Sequence, residues 1–538
     1  MSRSRFVDPR ARFGPFDDLE PAHRTPIVVI SLDMVPPDFY RRGETNSGLA
    51  RTPALDRLRA EGVWFEQAFT NNPLCGPSRA SYLTGRYPYV LVNEERAHDG
   101  MAVGLRDDDV LFPQYLRAAG YVAKHAGKCH VGAKKFLDAF GEADAAWNRW
   151  APPLADDDAY LAYLRRLGLR PPVVAEPIRG LRPDRATPGN DYGGFATQAG
   201  GGPFPEEGTY PHYLAALVGE RLEAAMAQGV ADGAPLYLQV DFFAPHQPFV
   251  LPTGLESRAA ELAERVSLPP SFHEAVEHDF GPVPGEPRVY SLYRRSFGIY
   301  EAGTMRDYVA ANALQMEVVD RAVGKVLARL DEMGLYDGAL VVLLGDHGEM
   351  NGERALIDKG VYGHPRVARV PLVVKLPGGR SAGSVVAEPV CLLDLAPTLL
   401  EAAGVRPAAA LDGLSLWPLL EEPGEGELGD RTFLYEAGWH IAPNPAVAIQ
   451  WRKAPGEHFL YAYNLTSECD ELYDLGDPAY RDLAADPAYG PVRAAMVRRL
   501  ADFLRADPRW RCYWHTLRLD KWGDLPPEEG DLQMVRPR

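Results

Sequence analysis

Cysteine is scarce in this chain. Five residues among 538, an odd number spread thinly, do not read as a disulfide framework. Long apolar runs are missing too: none approaches the ~18 residues that a membrane span requires. The opening stretch MSRSRFVDPRARFGPFDDLEPAHRTP holds no apolar core that could serve as a signal peptide. Positive charge is in deficit, with 57 Lys and Arg against 74 Asp and Glu and a net charge of −17. That disfavours nucleic acid as a partner, because phosphate backbones need clustered cations. An anionic small substrate stays compatible, since local positive charge at a site overrides the overall field. Internal repeats and low-complexity tracts are absent. The expectation is a soluble, cytoplasmic protein with no nucleic-acid or membrane partner, in which the sequon at Asn464 is chance.

What is present is ordinary globular composition, 46% hydrophobic and 24% charged. The length implies one large domain and a smaller one. Residues 1–25 read as an irregular arm and 26–430 as the large domain. The Pro-, Gly- and acid-rich EEPGEGELGD at 421–430 marks a boundary, leaving 431–538 as an α+β subdomain and tail. Apolar strand runs (PIVVISLD, APLYLQVDFFAPH, ALVVLLGDHGE) alternate with helical periodicity, for example in TPALDRLRAEG, where Thr52 suits an N-cap and Pro53 the first helical position. This alternation predicts an α/β fold with a mostly parallel sheet covered on both faces. Residues 150–210 read mainly as long loops, helical only at their start, that wall a pocket. The stretch GEHFLYAYNLTSECDELYDL alternates like hairpin strands, and PVRAAMVRRLADFLRAD reads as a closing helix. The aromatic-rich tail beyond it is expected to pack on the C-terminal subdomain or on a second copy, which makes a homo-oligomer an expectation.

Three strand runs end on chemistry-bearing residues: the first at Asp33, the second at His246, the third at Asp346 and His347. Ligands in open α/β sheets bind outside the carboxyl ends of strands, so these endings should converge. Asp33, Asp346 and His347 offer two hard oxygens and an imidazole, which suit Ca²⁺, Mg²⁺ or Mn²⁺ better than Zn²⁺ because no thiolate spacing accompanies them. Lys128 and His130 follow a strand in AGKCHVG, and Lys359 lies in LIDKGVYGH. Fixed cations in such loops can neutralise charge on a transferred oxyanion group. In NNPLCGPSRASYLTGRYP, Pro77 suits the first turn of a helix and Gly85 its stop. Cys75 then lies at a helix N-terminus, and this stretch accommodates both an activated thiol and a small buried apolar residue.

CGPSRASYLTGR resembles the signature of the type I sulfatases, formylglycine-dependent enzymes of the alkaline phosphatase superfamily. TPALDRLRAEGVWFEQAF precedes it as the family's helix before the signature does, and AGYVAKHAGKCHVG, APHQPF, GDHGE, RVARVPLVVK, LLDLAPTLLEAAG, DGLSLWPLL and DELYDLGDPAYRDLA follow in family order, so the resemblance covers roughly residues 26–507. It implies an alkaline-phosphatase-like core with a small C-terminal antiparallel sheet and a helix. It further implies metal-dependent hydrolysis of a small-molecule sulfate ester. Cys75, oxidised by a formylglycine-generating maturation enzyme, would be the nucleophile and would join Asp33, Asp346 and His347 on one divalent ion, Ca²⁺ foremost. Arg79 would hold the hydrated aldehyde, Lys128 and Lys359 would clamp the sulfate, and His246 with Lys359 would protonate the leaving oxygen. His130 would act as base in restoring the aldehyde, and Asn93 would be a further substrate contact. One departure stands out: Met34 follows Asp33 where most members carry paired aspartates. This keeps open a phosphonate monoester or phosphodiester hydrolase, with a non-catalytic anion-binding homologue as the third reading.

Overall fold

Every residue of the strand Ile27–Asp33 (β1) is buried, and its side chains alternate between two cores. Val28, Ile30 and Leu32 face one and Ile27 and Val29 the other, as a central strand covered on both faces requires. In the computed structural model of the chain, the residues described are 25–88, 105, 109–141, 146–147, 149–424, 428, 431–441, 443–454, 456–464 and 469–510. The arm before Thr25, Asn93 and the tail beyond Trp510 lie outside them.

The central sheet has eight strands. After β1 come Val63–Phe65 (β2), Val122–Lys128 (β3), Ala146–Trp147 (β4), Leu236–Pro245 (β5), Leu340–Gly345 (β6), Leu372–Lys375 (β7) and Ser384–Val386 (β8). Their order is β8-β2-β7-β6-β1-β5-β3-β4. Only β7 runs against its neighbours; β6, β1, β5, β3 and β4 are parallel. This is the expected α/β architecture. Helices Pro53–Glu61 (α1), Tyr210–Ala227 (α3) and Ala302–Glu332 (α4) supply the core on one face. The helix Cys75–Thr84 (α2) contributes Ala80, Tyr82 and Leu83 to the other. A second sheet follows near the C-terminus, Thr432–Trp439 (β9), Pro443–Ala454 (β10), Glu457–Asn464 (β11) and Glu471–Asp474 (β12), antiparallel throughout, with the helix Gly490–Ala506 (α5) closing it. Trp510, at the edge of the described chain, is buried against Tyr87 and Phe503. No described helix is long and apolar enough to cross a membrane.

Two local expectations change. Residues 150–210 are more ordered than loops: after the helix Asp158–Arg166 come short strands at Pro172–Val174, Arg179–Leu181, Pro188–Asp191 and Gly193–Gln198. They are too short and too rich in Gly, Pro and charge to show a two-residue alternation. Thr52 occupies the N-cap of α1, but its side chain makes no capping bond. The cap comes from α4: the buried Asp320 carboxylate accepts from Ala54 N at 2.9 Å and Leu55 N at 3.0 Å. Asp320→Ala is therefore expected to lower the unfolding free energy by about 1–2 kcal/mol. Urea unfolding of the variant against the parent measures it.

The C-terminal sheet also sets an acid limit on stability. Burial pushes the imidazole of His458 well below its usual range, with Arg369 and Arg452 adding to the effect. Neither ring nitrogen has a hydrogen-bond partner, and the ring packs edge-on to Phe69. The unfolded chain protonates such a group near pH 6.5 while the folded chain does not, so stability falls as pH drops below that value. His458→Phe is expected to remove up to about 2 kcal/mol of the loss between pH 6.5 and 5. Denaturant titrations at the two pH values give the difference directly.

Candidate active site

Parallel neighbours put their carboxyl ends on one edge, so the adjacent strands β6, β1, β5 and β3 deliver their terminal residues together. Asp33 ends β1 and Lys128 ends β3, His246 follows β5, and Asp346 and His347 follow β6. The first turn of α2 brings Cys75 among them. Gly85 stops that helix in the left-handed region at φ 68°, as the sequence predicts. Ser78, one turn in, fastens the helix to the sheet by donating to Asp346 O at 2.5 Å.

Cys75 is fully buried, and its Sγ lies 3.1 Å from His347 Nε2 and 3.6 Å from Asp33 Oδ1. Donor atoms of Asp33, Cys75, Asp346 and His347 all fall within 4.8 Å of one another. Two carboxylates and an imidazole converging without solvent are a donor set for a hard divalent cation, and the cluster fits one. Its electrostatics agree. Burial and the neighbouring thiol push the Asp33 carboxyl up, but Lys128, His246 and Arg79 outweigh them and hold it below the usual carboxylate range. Burial and Asp33 leave the Asp346 carboxyl raised, against the pull of His347 and Arg79. Burial lowers the His347 imidazole, yet Asp346 and Cys75 carry it up to about 9. Burial opposes an anion at position 75, but Lys128, Lys359 and His347, with a hydrogen bond to His130, bring the thiol well below its ordinary range. The site is built to hold negative charge where Cys75 stands.

Lys128 Nζ pairs with Asp33 Oδ2 and donates to Trp150 O at 3.2 Å. Lys359 Nζ donates to His246 Nε2 at 2.6 Å and to Asp358 Oδ1 at 3.2 Å. Burial disfavours its charge, but Asp358, Cys75 and Asp33 more than restore it and keep it an ammonium. His130 is buried and bonded to Cys75; its pKa is lowered by burial and by Lys128, against the pull of Cys75 and Asp33. Of the residues singled out in the sequence, the structure thus gathers Asp33, Cys75, Lys128, His130, His246, Asp346, His347 and Lys359. Asn93 lies outside the described residues.

Arg79, one turn beyond position 75 on α2, is bound into the same buried cluster. Its Nε donates to Asp346 Oδ2 at 3.0 Å, Nη1 donates to Lys128 O at 3.2 Å, and it pairs with Asp241 at 3.2 Å. Nη2 is a buried donor with no hydrogen-bond partner. Asp241 was not singled out in the sequence. It sits inside β5 and collects Ser31, His125 at 2.8 Å and Gln239 at 2.7 Å. An acid within an otherwise apolar strand run was the signal for it. Trp150 and Asp358 were missed too, Trp150 because an isolated tryptophan in a polar segment carries no pattern. Its ring lies 5.8 Å from that of His246 and is 53% exposed, so it forms a rim above the buried cluster.

At the departure from the paired-acid pattern, Met34 is buried with φ at 61°. Its N–H donates to Asp346 Oδ1 at 3.0 Å, beside that of His347 at 2.9 Å. Backbone rather than a second carboxylate thus supports Asp346 from this position. A non-glycine residue in the left-handed region costs roughly 1 kcal/mol, which the surrounding bonds offset.

A family model described as "Sulfatase" matches residues 27–405, and one described as "N-sulphoglucosamine sulphohydrolase, C-terminal" matches residues 352–506. Steryl-sulfatase of Mus musculus is 29% identical over 445 residues, an alignment covering 74% of this chain and 65% of the relative, so the chain spans just under two thirds of that protein. The multifunctional alkaline phosphatase superfamily protein PehA of Trinickia caryophylli is 27% identical over 523 residues, covering 91% of this chain and 95% of its own. Among solved structures, the phosphonate monoester hydrolase SpPMH from Silicibacter pomeroyi superposes with a TM-score of 0.65 at 22% identity, covering 90% of this chain and 95% of that one.

Proposed function

Because the chain belongs to the sulfatase family, sulfuric ester hydrolases of the alkaline phosphatase superfamily, we propose that it cleaves a small-molecule sulfate ester with position 75, matured to formylglycine, as nucleophile. The observation that carries this reading is the convergence of Asp33, Asp346, His347 and Cys75 within 4.8 Å, flanked by Lys128 and Lys359. Asp33, Asp346 and His347, with position 75, would hold one divalent ion, Ca²⁺ foremost with Mn²⁺ or Mg²⁺ as alternatives. When bound, that ion supplies positive charge that stabilises an oxyanion at position 75. As formylglycine the residue supplies a hydrated aldehyde, whose two hydroxyls a thiol lacks.

The remaining work falls to the chain's own side chains. Lys128 and Lys359 flank position 75 and would clamp the sulfate oxygens, neutralising the charge that builds as the ester bond breaks. Lys359 Nζ and His246 Nε2 share a proton across 2.6 Å, and one of its N–H bonds would give way to the leaving oxygen. His130, bonded to position 75 and biased toward its neutral form, is suited to accept a proton there. Arg79, whose Nε is bonded to Asp346, would hold the hydrated aldehyde at position 75 in place. Maturation requires a formylglycine-generating enzyme as a partner.

A second reading rests on Met34. With a neutral residue there, the site carries one negative charge fewer than a paired-acid site, a departure from the sulfatase pattern that leaves a phosphonate monoester, singly charged like a sulfate monoester, as a second substrate class. Assay of the purified, matured protein on 4-nitrophenyl sulfate and 4-nitrophenyl phenylphosphonate separates the two. Sulfate turnover is expected to dominate; negligible sulfate turnover beside fast phosphonate turnover would overturn the first reading.

A further inference from the structure

Four residues beside the nucleophile close a hydrogen-bonded ring. Asp358 Oδ1 accepts from Lys359 Nζ at 3.2 Å, and Lys359 Nζ donates to His246 Nε2 at 2.6 Å. His246 Nδ1 then meets the backbone oxygen of Gln247, and Gln247 Nε2 returns to Asp358 Oδ2 at 2.7 Å. All four are buried. The chemistry of the atoms fixes every direction. A carbonyl oxygen only accepts, so His246 Nδ1 carries a hydrogen; an ammonium only donates, so Nε2 presents its lone pair. A carboxylate only accepts, so Gln247 must turn its amide nitrogen toward Asp358. The acid is itself over-determined. Its Oδ1 also accepts from Lys359 N at 2.7 Å, its own N–H donates to Glu349 Oε1, and its backbone is held in the left-handed region at φ 62°.

We infer that Asp358 is the positioning residue of the acid pair: it anchors the Lys359 ammonium and, through Gln247, fixes the ring orientation and tautomer of His246. Two separate oxygens of one carboxylate perform the two tasks. A surface-type ion pair would use either oxygen and would not engage the histidine's own neighbour. The arrangement parallels the way an orienting carboxylate serves a general base, but it acts here on a lysine and reaches the histidine by way of an amide. The proton passes from Lys359 Nζ to the leaving oxygen as that oxygen separates from its ester centre, breaking one N–H bond and forming one O–H bond. Asp358 touches neither the ester nor position 75 and keeps its charge throughout. This inference rests on the proposed role of Lys359 and His246 in leaving-group protonation.

The test is the dependence of rate on leaving group, which a merely structural residue would not alter. Matured wild-type enzyme and the Asp358→Asn and Gln247→Leu variants are assayed on aryl sulfates running from 4-nitrophenyl to unsubstituted phenyl and on to an alkyl sulfate. Asp358→Asn is expected to lower kcat about a hundredfold on the alkyl ester, whose leaving oxygen needs a proton, and by only about threefold on 4-nitrophenyl sulfate. Gln247→Leu should show the same tilt, about tenfold on the alkyl ester. A loss that is uniform across the series, or no loss, overturns the inference. Should Asp358→Asn fail to fold, Gln247→Leu decides by the same criterion. If the wild type cleaves phosphonate esters and not sulfates, the sulfatase reading falls and the same series in phosphonate form decides the role of Asp358. A wild type that cleaves neither ester overturns both.

Discussion

Cys75→Ala is expected to abolish ester hydrolysis, lowering kcat by roughly ten-thousandfold or more, while leaving the fold intact. The fold survives because Cys75 carries no structural bond that alanine cannot spare. Its neighbour His347 keeps its bonds to Asp346 and to Gly348 O, Asp33 stays in β1, and the helix is tied to the sheet by Ser78 rather than by the thiol. Activity does not survive, because no other described nucleophile stands where Lys128 and Lys359 converge. Cys75→Ser should be almost as inert, since a lone hydroxyl cannot restore itself by expelling the transferred group. Steady-state assays with thermal melts of the three proteins test this. A peptide mass spectrum completes it: matured wild type should carry residue 75 lighter than cysteine by about 18 Da. Unmodified cysteine in fully active protein would refute the mechanism.

Asp346→Ala is expected to strike activity and stability together. The carboxylate is one of the candidate metal ligands, and it is also the acceptor for Arg79 Nε at 3.0 Å and for the backbone of Met34 and His347. Arg79 is wholly buried, so removing this partner leaves a guanidinium short of countercharge, with Asp241 as its remaining ion pair among the described residues. Breaking one side of a buried ion pair costs about 3–5 kcal/mol. Asp346→Asn keeps the shape and part of the bonding but not the countercharge, and should recover only part of that stability without recovering activity. Denaturant unfolding beside kinetic assay distinguishes the two losses. Equal stability of Asp346→Ala and wild type would refute the assigned bond to Arg79.

The parallel sheet and its convergent edge were legible because buried strands must be apolar from end to end, so a polar residue that ends such a run is conspicuous. Asp33, His246, Asp346 and His347 announced themselves in this way. Cys75, Lys128 and Lys359 had no such contrast and became readable as a set through the resemblance of CGPSRASYLTGR and its companions. What stayed hidden were partnerships across long sequence separations. Asp320 caps a helix 266 residues before it, and nothing in the local sequence could compete with Thr52 for that place. Asp358 looked like an ordinary loop acid until Gln247, 111 residues away, was seen to share it. The short strands between 172 and 198 went unread because three to six residues rich in Gly, Pro and charge hold too little periodicity to count.

The antiparallel sheet at the C-terminus holds none of the metal-site residues, yet the Lys359 segment leans on it. Asn444 Nδ2 in β10 donates to Val361 O at 2.7 Å, and Tyr435 in β9 donates to Tyr362 O at 2.9 Å. Gly363 passes so close to β11 that an added Cβ would stand 2.2 Å from that of Ala462. The two lobes are therefore not interchangeable modules. A chain ending before Thr432 would keep all eight gathered site residues while losing the wall against which Lys359 is set. Grafting the C-terminal sheet of another family member would alter where that ammonium sits relative to position 75. Recombination between relatives should accordingly be tolerated only where the 359–364 segment and its facing strands travel together.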